Sequence, residues 1–276
     1  MPDPARAEAA VLTLSVVIPA LNEADVIGEC IAALLAQQQP VDEIIVVDNG
    51  STDATASIAS GFPGVDVVRE STPGIVAART RGFAAATGDI IARIDADTVV
   101  DPGWAEAIRT AFADPSLAAV GGPVRQARAS ASVEHSTAFI YQSFRVIHRA
   151  LFGGRVLLYG HNMAVRREAW LRVQPIVSLD DGVSEDIEIA LAIEEAGGRV
   201  RFLPGMRARA DVLRTMNPRK LGRYLRADGR TISKYRVAGW VRHRPAAVAS
   251  TRKRSGAALP GAATGDVVAR GLKHRG

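Results

Sequence analysis

The sequence predicts an α/β fold with a mostly parallel central sheet flanked by helices. Short apolar runs rich in valine and isoleucine alternate with segments of helical periodicity, which is the pattern of successive βαβ units. The runs carry few polar positions, as is typical of strands that are buried on both faces. Three of the runs end in a polar cluster, and open parallel sheets bind their ligands beyond the carboxyl ends of the strands.

The first half of the chain contains four predicted strands and three predicted helices. The strands are Thr13–Leu21, Glu43–Val47, Val65–Arg69 and Asp89–Ile94, and the helices are Ala24–Gln38, Thr52–Ser60 and Pro73–Ala86. In the first helix, Ile27, Cys30, Ile31 and Leu34 recur at the spacing of one helix face. We therefore expect Cys30, the single cysteine, to be a buried structural thiol rather than a nucleophile.

The chain is less regular from residue 117 onward. Its predicted strands there are Leu117–Val124 and Arg199–Leu203, and its predicted helices are Val133–Leu151, Arg167–Val173, Ser184–Ala196 and the basic segment Pro218–Trp240. Beyond about Ala246 the chain is rich in Ala, Gly, Arg and Lys without any period, which predicts a disordered tail. We divide the chain into a flexible N-terminus (1–12), an α/β half (13–124), a second half (125–240) and a basic tail (241–276).

The net charge of +5 conceals a strong asymmetry. Residues 207–276 hold 18 of the 34 lysines and arginines but only 3 of the 29 acids. This split predicts an acidic body with a basic appendage that meets phosphate, a membrane surface or nucleic acid. No apolar run reaches the roughly 18 residues that a spanning helix needs, and the N-terminus carries no signal-type apolar core. We expect a cytoplasmic protein, with a peripheral position at the inner membrane face as a further hypothesis.

Two carboxylates follow the fourth predicted strand. Asp95 and Asp97 stand one residue apart where the strand ends, so that both can face one hard cation such as Mg²⁺ or Mn²⁺. An ion held by one or two carboxylates completes its shell with substrate phosphates and water. The alternative is that the two acids end the strand simply by facing water. Their position in a βαβ series favours a metal–diphosphate site.

A second polar cluster, Asp48-Asn49-Gly50-Ser51-Thr52-Asp53, follows the second predicted strand. These residue types favour a turn that leads into a helix cap. The Asp48 carboxylate and the Asn49 amide can also bond the base and ribose of a nucleotide. Both interpretations stay open, since one turn can do both.

Four segments together resemble the successive blocks of family-2 glycosyltransferases. They are VVIPALNEADVIGECIAALLAQ, EIIVVDNGSTDAT, PGIVAARTRGFAAATGDIIARIDADT and SEDIEIALAIEEAGGRV, in this order across roughly residues 13–206. The resemblance implies a GT-A fold, in which a nucleotide-sugar-binding α/β half is continuous with an acceptor-binding half that carries the catalytic base. It also implies an inverting, hexosyltransferase-like enzyme.

The resemblance assigns roles to residues of both halves. On the donor side, the nucleotide-sugar-binding residues would be Pro19, Leu21, Glu23, Asp48, Asn49, Arg79, Asp95 and Asp97. Asp95 and Asp97 would hold the Mn²⁺ or Mg²⁺, and Arg79 would lie near the donor, where an arginine can clamp phosphate. Many relatives carry Asp at the position of Asn49, so the base preference stays open.

On the acceptor side, Asp186 matches the catalytic base of the family. Glu185 precedes it, and His161 and Asn162 belong to a Gly-His-Asn-Met segment that would lie beside the donor sugar and acceptor. His161 is equally compatible with a structural histidine. Some relatives use a later histidine as a third metal ligand, but residues 207–212 contain none. Metal binding would then rest on the two carboxylates, water and phosphate.

Two opposite effects act on the pKa of Asp186. A helix N-terminus stabilises the anion and lowers the pKa. Repulsion by Asp180, Asp181 and Glu185 raises it again. A general base should have a pKa that matches its task, and the crowd of acids can provide the match.

The basic segment Arg219–Arg236 has three interpretations. Its apolar positions suggest a stripe for a membrane surface, formed by Leu221, Tyr224, Leu225, Ile232, Tyr235 and Trp240. A helix that closes over the active site is an equal alternative. Nucleic-acid binding is disfavoured, because no known recognition module is present. Residues 220–224 of this segment weakly resemble the Q-x-x-R-W block of processive relatives. The match is too poor to indicate polymer synthesis.

The sequence therefore predicts sugar transfer from a nucleotide-diphospho-sugar to a hydroxyl acceptor, which can be a glycan, a lipid or a small molecule. One rival is a nucleotidyltransferase that makes a sugar nucleotide, but the G-x-G-T-R-like loop it needs is absent after the first strand. A second rival is a non-catalytic module that binds nucleotide sugars, yet Asp186 is present. A dehydrogenase is disfavoured because G-x-G-x-x-G is missing there.

Overall fold

A computed structural model describes residues 11–127, 131–179, 182–212 and 218–242. Its strands are β1 (Leu14–Ala20), β2 (Glu43–Asp48), β3 (Val65–Arg69), β4 (Ile90–Arg93), β5 (Val99–Val100), β6 (Leu117–Gly121), β7 (Val124–Gln126), β8 (Met163–Arg166), β9 (Arg199–Phe202) and β10 (Ala208–Ala210). Its helices are α1 (Ile27–Leu35), α2 (Thr55–Ser60), α3 (Ile75–Ala85), α4 (Trp104–Phe112), α5 (Ala131–Leu151), α6 (Arg167–Val173), α7 (Glu185–Glu195) and α8 (Pro218–Arg242).

The central sheet has seven strands in the order β3-β2-β1-β4-β8-β6-β9. Strands β1 to β4 pair in parallel, as do β6 and β9, while β8 runs antiparallel to both β4 and β6. The predicted fold class, a mostly parallel sheet flanked by helices, is confirmed. The antiparallel strand β8 was not predicted.

The predicted strand Leu117–Val124 is two strands. β6 ends at Gly121, and β7 begins at Val124 in a separate three-stranded sheet of order β5-β10-β7. The break follows from Gly122, where an added Cβ would lie 2.1 Å from the carbonyl oxygen of Met206. The backbones approach too closely there for any side chain, and Pro123 cannot donate a ladder hydrogen bond.

The apolar strands are buried on both faces of the sheet. Val16 and Ile18 of β1 pack with Ile27 and Ile31 of α1, whereas the alternate residue Val17 faces α3. Helix α3 lies so close to β1 at Gly82 that an added Cβ would be 2.2 Å from Cγ1 of Val17. Both faces of the sheet therefore carry a core, as the continuous apolar runs predict.

The prediction for Cys30 is confirmed. The residue is fully buried in the α1 core cluster, and this burial raises the pKa of its thiol well above the usual range. A thiol that stays protonated is a poor nucleophile. Cys30 is therefore part of the packing between α1 and the sheet.

Helix α8 closes over the second half of the chain. Tyr235 is buried and packs with Ile187 and Leu191 of α7, and Ile232 packs against the same cluster. The proposed apolar stripe is thus divided, because Tyr224 and Leu225 are exposed while Tyr235 faces the core. The side chains of Leu221 and Trp240 lie outside the described residues. So do residues 1–10 and 243–276, with most of the predicted flexible N-terminus and disordered tail.

Candidate active site

The polar clusters that follow β1, β2 and β4 meet at one edge of the sheet, because these three strands are adjacent and parallel. The first two clusters are bonded to each other. The backbone N–H of Asn22 donates to Oγ of Ser51 (3.1 Å), and the N–H of Thr52 donates to Oδ1 of Asn22 (2.8 Å). Asn22 adopts φ 55°, a left-handed conformation that asparagine tolerates better than most residues.

The side chains of the cluster after β2 form hydrogen bonds that stabilise the loops around them. Asp48 is buried, and its Oδ1 accepts a hydrogen bond from the backbone N–H of Ser51 (3.0 Å). The side-chain amide of Asn49 donates to the carbonyl oxygens of Glu70 (3.0 Å) and Thr72 (2.7 Å). Both N–H donors of Asn49 are thus used within the protein. A base contact by this side chain would rest on the remaining acceptor capacity of its oxygen.

The other predicted nucleotide-pocket residues surround the end of β1. Pro19 is buried in the strand beside Val47, and Leu21 is exposed just beyond the strand end. Glu23 is half-buried, and its backbone N–H donates to Oγ1 of Thr55 (2.8 Å). These three residues therefore line the approach to the cluster after β2, and their contact with a nucleotide stays a prediction.

The predicted metal carboxylates follow β4, and both are half-buried. Oδ1 of Asp95 lies 3.3 Å from Nη2 of Arg93. Asp97 lines a small depression together with Val26, Glu29 and Val99. Within the described residues, three or more His, Cys, Asp or Glu side chains nowhere gather into a metal site. Two carboxylates with oxygen donors fit Mn²⁺ or Mg²⁺ only when substrate phosphates and water complete the shell.

Arg93 connects the metal carboxylates to the start of α7. Its side chain is buried, and its Nη1 forms a short ion pair with Oε1 of Glu185 while Nη2 faces Asp95. Glu185 is buried as well, so the pair lies where water screens charge weakly. Arg93 was not among the predicted site residues. Its signal was a single charge inside the otherwise apolar strand β4, which calls for a buried partner.

Gly160 packs directly on Arg93. An added Cβ at Gly160 would lie 2.3 Å from Cζ of the Arg93 guanidinium. The backbone N–H of Gly160 donates a hydrogen bond of 2.7 Å to Oδ2 of Asp186. The absence of a side chain at Gly160 thus lets the guanidinium and the Asp186 carboxylate approach the same stretch of backbone.

Asp186 is half-buried in the first turn of α7. The pKa of its carboxyl is raised from 3.8 to about 6, mainly by burial and also by the charge of Glu185, against the lowering effects of Arg93 and of the N–H groups of Gly160 and Ile187. Desolvation therefore outweighs the helix N-terminus in setting this pKa. Of the acids that the sequence suggested as the cause, Glu185 takes part, and Asp180 and Asp181 lie outside the described residues.

His161 belongs to an aromatic group beside the site. Its Nε2 lies 2.7 Å from the hydroxyl of Tyr141, and its ring stacks on Tyr159 at 5.7 Å between centroids. The pKa of His161 is lowered to about 4, mainly by burial and partly by Arg93 and Arg145, although the charge of Asp95 raises it. The ring is therefore neutral at neutral pH. Tyr141 and Tyr159 were not predicted, because nothing in their spacing separates them from other aromatic residues of the second half.

Asn162, which the resemblance places beside the donor sugar and acceptor, has a buried side chain that makes three hydrogen bonds inside the protein. Oδ1 accepts from Nε1 of Trp104 (2.9 Å), and Nδ2 donates to the carbonyl oxygens of Met206 (2.8 Å) and Pro123 (3.1 Å). The amide thus joins α4 to the two loops around Gly122, and its contact with a substrate stays a prediction.

Arg79 is the residue that the resemblance places near the donor, and that contact stays a prediction. It is fully buried in α3, with Nε 3.4 Å from Oε2 of Glu185 and the guanidinium 5.1 Å from the ring centre of Trp170. Arg79 and Arg93 therefore contact different oxygens of the Glu185 carboxylate. Two arginines hold the one carboxylate of Glu185, whose neighbour in sequence is Asp186.

Helix α8 forms hydrogen bonds to the residue that precedes α7. The hydroxyl of Ser184 forms a short hydrogen bond to Oδ1 of Asp228, and the backbone N–H of Ser184 donates to Oγ1 of Thr231 (2.9 Å). Asp228 also lies 3.0 Å from Nε2 of His148 in α5. Ser184 is the N-cap residue of α7, and its hydroxyl bonds α8 rather than a backbone N–H of α7. The order of the Asp186 turn thus depends on α5 and α8.

The chain is similar in sequence to known glycosyltransferases. It is 44% identical over 100 residues to glucosyl-3-phosphoglycerate synthase of Mycolicibacterium smegmatis, covering 33% of this chain and 32% of that protein. It is 33% identical over 118 residues to glycosyltransferase AglE of Haloferax volcanii, covering 40% and 39%. The chain spans less than half the length of these curated relatives.

Solved structures share the fold. Mannosyltransferase PcManGT of Pyrobaculum calidifontis, solved with GDP-Man and Mn²⁺, has a TM-score of 0.59 and 26% identity, covering 74% of this chain and 58% of that one. Glucosyl-3-phosphoglycerate synthase of Mycobacterium tuberculosis, solved with Mn²⁺, UDP-Glc and glycerol 3-phosphate, has a TM-score of 0.51 and 25% identity, covering 70% of each.

The profile of "Glycosyl transferase family 2" matches residues 15–172. This range is more than half of the chain and contains β1 to β8, with the polar clusters after β1, β2 and β4. The structural neighbours agree with it in fold. The chain therefore belongs to glycosyl transferase family 2.

Proposed function

We propose that this protein transfers a sugar from a nucleotide-diphospho-sugar to a hydroxyl acceptor by a metal-assisted single displacement that inverts the anomeric centre. The observation that carries the proposal is the Asp186 carboxyl. It is oriented by Gly160, has a pKa of about 6, and is connected through Glu185 and Arg93 to Asp95 at the sheet edge.

The donor is proposed to bind along the sheet edge from β2 to β4. The base would lie at the Asp48 loop and the diphosphate at Asp95 and Asp97, with Pro19, Leu21 and Glu23 along the pocket wall. The support is the adjacency of these strands and the presence of GDP-Man or UDP-Glc with Mn²⁺ in the neighbours.

In the proposed mechanism, Asp95 and Asp97 hold the Mn²⁺ or Mg²⁺. When bound, the ion neutralises charge on the departing diphosphate. Arg93 fixes the direction of the Asp95 carboxylate, and Glu185 holds Arg93 in turn. These two ion pairs keep the donor end and the base end of the site at a constant separation.

Asp186 is proposed to act as the general base. The acceptor oxygen forms a bond to the anomeric carbon while the bond from that carbon to the diphosphate oxygen breaks, and the acceptor proton passes to Asp186. A carboxylate with a pKa of about 6 is largely ionised at neutral pH yet is a stronger base than an ordinary aspartate. The neutral His161 and the tyrosines beside it would border the acceptor.

The acceptor is proposed to be a lipid-linked or cell-envelope glycan that is modified at the inner membrane face by a protein of the cytoplasm. The support is the basic C-terminal segment, since Arg223, Arg226 and Arg230 are exposed on α8. Within the described residues, every helix is too short or too polar to cross a bilayer. Small hydroxyl acceptors remain alternatives, because a neighbour binds glycerol 3-phosphate.

The test is a panel of nucleotide sugars incubated with the protein, Mn²⁺ and candidate acceptors, with release of nucleoside diphosphate as the readout. We expect release with one donor, and a loss of about 10²- to 10⁴-fold in the Asp186→Asn variant, the usual contribution of a general base. Asp66→Asn, a change at an exposed acid of β3 outside the site, is the matched control. Release in Asp186→Asn at the wild-type rate would contradict the proposal.

A further inference from the structure

Arg145 of α5 is a half-buried cation beside the candidate active site. The Cζ atom of its guanidinium lies 3.8 Å from the ring centre of Phe202 and 5.9 Å from that of Tyr159. Aromatic faces attract a cation, and a guanidinium that lies over a ring keeps its N–H donors available at the edge of its plane. The two rings therefore hold Arg145 in place without using its capacity to donate hydrogen bonds.

Arg145 differs from the buried arginines of the site in having no acidic partner. Arg79 and Arg93 both pair with Glu185. Among the residues that the structure describes, no carboxylate forms an ion pair with Arg145, and no oxygen accepts a hydrogen bond from it. A half-buried guanidinium has lost part of its hydration, so it attracts an anion more strongly than a fully exposed arginine does.

The position of Phe202 places Arg145 at the same edge of the sheet as the metal carboxylates. Phe202 is the last residue of β9. Strand β9 runs in the same direction as β4, because β8 is antiparallel to both β4 and β6, and β9 is parallel to β6. The carboxyl end of β9 therefore lies at the edge where Asp95 and Asp97 follow β4. Ligands of such sheets bind beyond this edge.

Three consecutive residues connect Arg145 to the proposed base. The ring of Tyr159 contacts the Arg145 guanidinium. The backbone N–H of the next residue, Gly160, donates to Oδ2 of Asp186 (2.7 Å). The third residue, His161, stacks on Tyr159 with 5.7 Å between the ring centres. The guanidinium and the Asp186 carboxyl are thus held by neighbouring residues of one segment.

Tyr141 lies close to both charges. Burial raises the pKa of its hydroxyl, while the charge of Arg145 lowers this pKa and that of Asp186 raises it. The same hydroxyl lies 2.7 Å from Nε2 of His161. An aromatic surface with a few well-placed polar groups is typical of a ligand site. Here the polar groups include the proposed base and a cation without an acidic partner among the described residues.

We propose that Arg145 binds a carboxylate or phosphate group of the acceptor, which is therefore an acidic molecule. The guanidinium can hold either group through two parallel N–H···O bonds. Because one segment holds both Arg145 and Asp186, the acidic group would lie near the hydroxyl that loses its proton. The identification of the bound anion as the acceptor rests on the proposed function, whereas the anion site itself does not depend on catalysis.

The test is direct binding of small probes to the full chain by isothermal titration calorimetry, without sugar donor and without Mn²⁺ that could bind an anion at Asp95 and Asp97. The probes are glycerol, glycerate, glycerol 3-phosphate and dihexanoyl phosphatidylglycerol below its micelle-forming concentration. They present a neutral hydroxyl, a carboxylate, a soluble phosphate and a lipid phosphate. Arg145→Met removes the cation, and Arg172→Met, a change at an exposed arginine of α6, is the matched control. Circular dichroism and thermal melting establish that each variant is folded.

We expect at least one anionic probe to bind the wild type and the control at least about tenfold more tightly than glycerol does, as a charge-assisted bidentate contact provides. Arg145→Met should lose this preference. The anionic probe that binds most tightly distinguishes a carboxylate, a soluble phosphate and a lipid phosphate. Equal affinity of the folded Arg145→Met variant and the wild type for that probe would overturn the proposal. So would a wild type that binds no anionic probe more tightly than glycerol.

A second measurement is independent of whether Arg145→Met folds. In ¹⁵N-labelled protein, the Nε–H resonance of Arg145 is the one that is missing from the spectrum of the conservative variant Arg145→Lys. This resonance should shift when the most tightly bound anionic probe is added, and an unchanged resonance would overturn the proposal. A failure of the proposed function in the nucleoside diphosphate assay would leave both binding results unchanged, so the two failures can be told apart.

Discussion

The backbone N–H of Gly160 donates a hydrogen bond of 2.7 Å to Oδ2 of Asp186, while the α-carbon of Gly160 rests on the Arg93 guanidinium. One residue thus orients the proposed base and packs on the arginine that pairs with Glu185 and Asp95. The position of Asp186 therefore depends on residue 160 having no side chain.

Gly160→Ala should therefore impair activity more than folding. The added methyl carbon would lie 2.3 Å from Cζ of Arg93, so either the arginine or the loop must move. A displacement of about 1 Å in an active site can lower the rate about 10²-fold, and we expect a loss of that order in kcat. The control is Gly229→Ala on α8, where an added Cβ meets no described atom within 4 Å. Comparable losses in both variants would contradict this role for Gly160.

Asp186→Asn should stabilise the folded protein at pH 8. The folded-state pKa of Asp186 is raised from 3.8 to about 6, so the folded state binds this proton more tightly than the unfolded state does. Its ionisation therefore destabilises the fold as pH rises from about 4 to about 6. Removing the charge should raise the free energy of unfolding by on the order of 2 kcal/mol at pH 8, and by less where solvent screens the half-buried carboxyl. Near pH 4 the substitution should leave the free energy of unfolding unchanged. Urea unfolding at the two pH values measures the difference.

Arg93→Met should destabilise the protein by up to about 3–5 kcal/mol, because the buried Glu185 loses its nearest cation and keeps Arg79 alone. The double variant Arg93→Met/Glu185→Gln should lose less stability than the two single variants together, because the Arg93–Glu185 ion pair is then lost once rather than twice. The free energies of unfolding of the four proteins form a double-mutant cycle. Additive effects in the cycle would show that the ion pair carries no coupling energy.

Removal of the metal should abolish activity reversibly. Chelation with EDTA is expected to stop release of nucleoside diphosphate, and Mn²⁺ should restore it. Asp97→Ala leaves Asp95 as the one carboxylate of the pair and should raise the Mn²⁺ concentration needed for half-maximal rate at least tenfold. Glu29→Ala, a change at an exposed acid beside Asp97 in the same depression, is the control. Full activity in EDTA would contradict metal assistance.

The sequence predicts the sheet well where the strands are continuous apolar runs. Strand β3 matches its predicted bounds, and β1 and β4 differ from theirs by one residue at each end. Burial on both faces leaves few polar positions in β1 and β4, so the pattern and the structure share one cause. Strand β8 was missed because four residues, Met163–Arg166, are too few to show a period.

Contacts between residues that are distant in sequence could not be predicted from the sequence. Arg93 and Glu185 are 92 positions apart, and only the folded chain shows that they meet. The partners of Asn162 are hidden for a related reason. The resemblance of its segment suggests substrate contact, and only the folded chain shows that Trp104, Pro123 and Met206 bond its side chain in the core. The sequence identifies which residues are polar, and packing decides which of them face the site.

The central claim is that Asp186 removes the acceptor proton in an inverting sugar transfer. The most direct measurement is the pH dependence of kcat/KM for the donor–acceptor pair that gives turnover, together with the anomeric configuration of the product by NMR. We predict an inverted product and a rate that falls below a pH of about 6, because protonated Asp186 cannot accept a proton. In the Asp186→Asn variant, which turns over slowly, kcat/KM should no longer fall below a pH of about 6. A product of retained configuration, or the same acidic limb in that variant, would contradict the account.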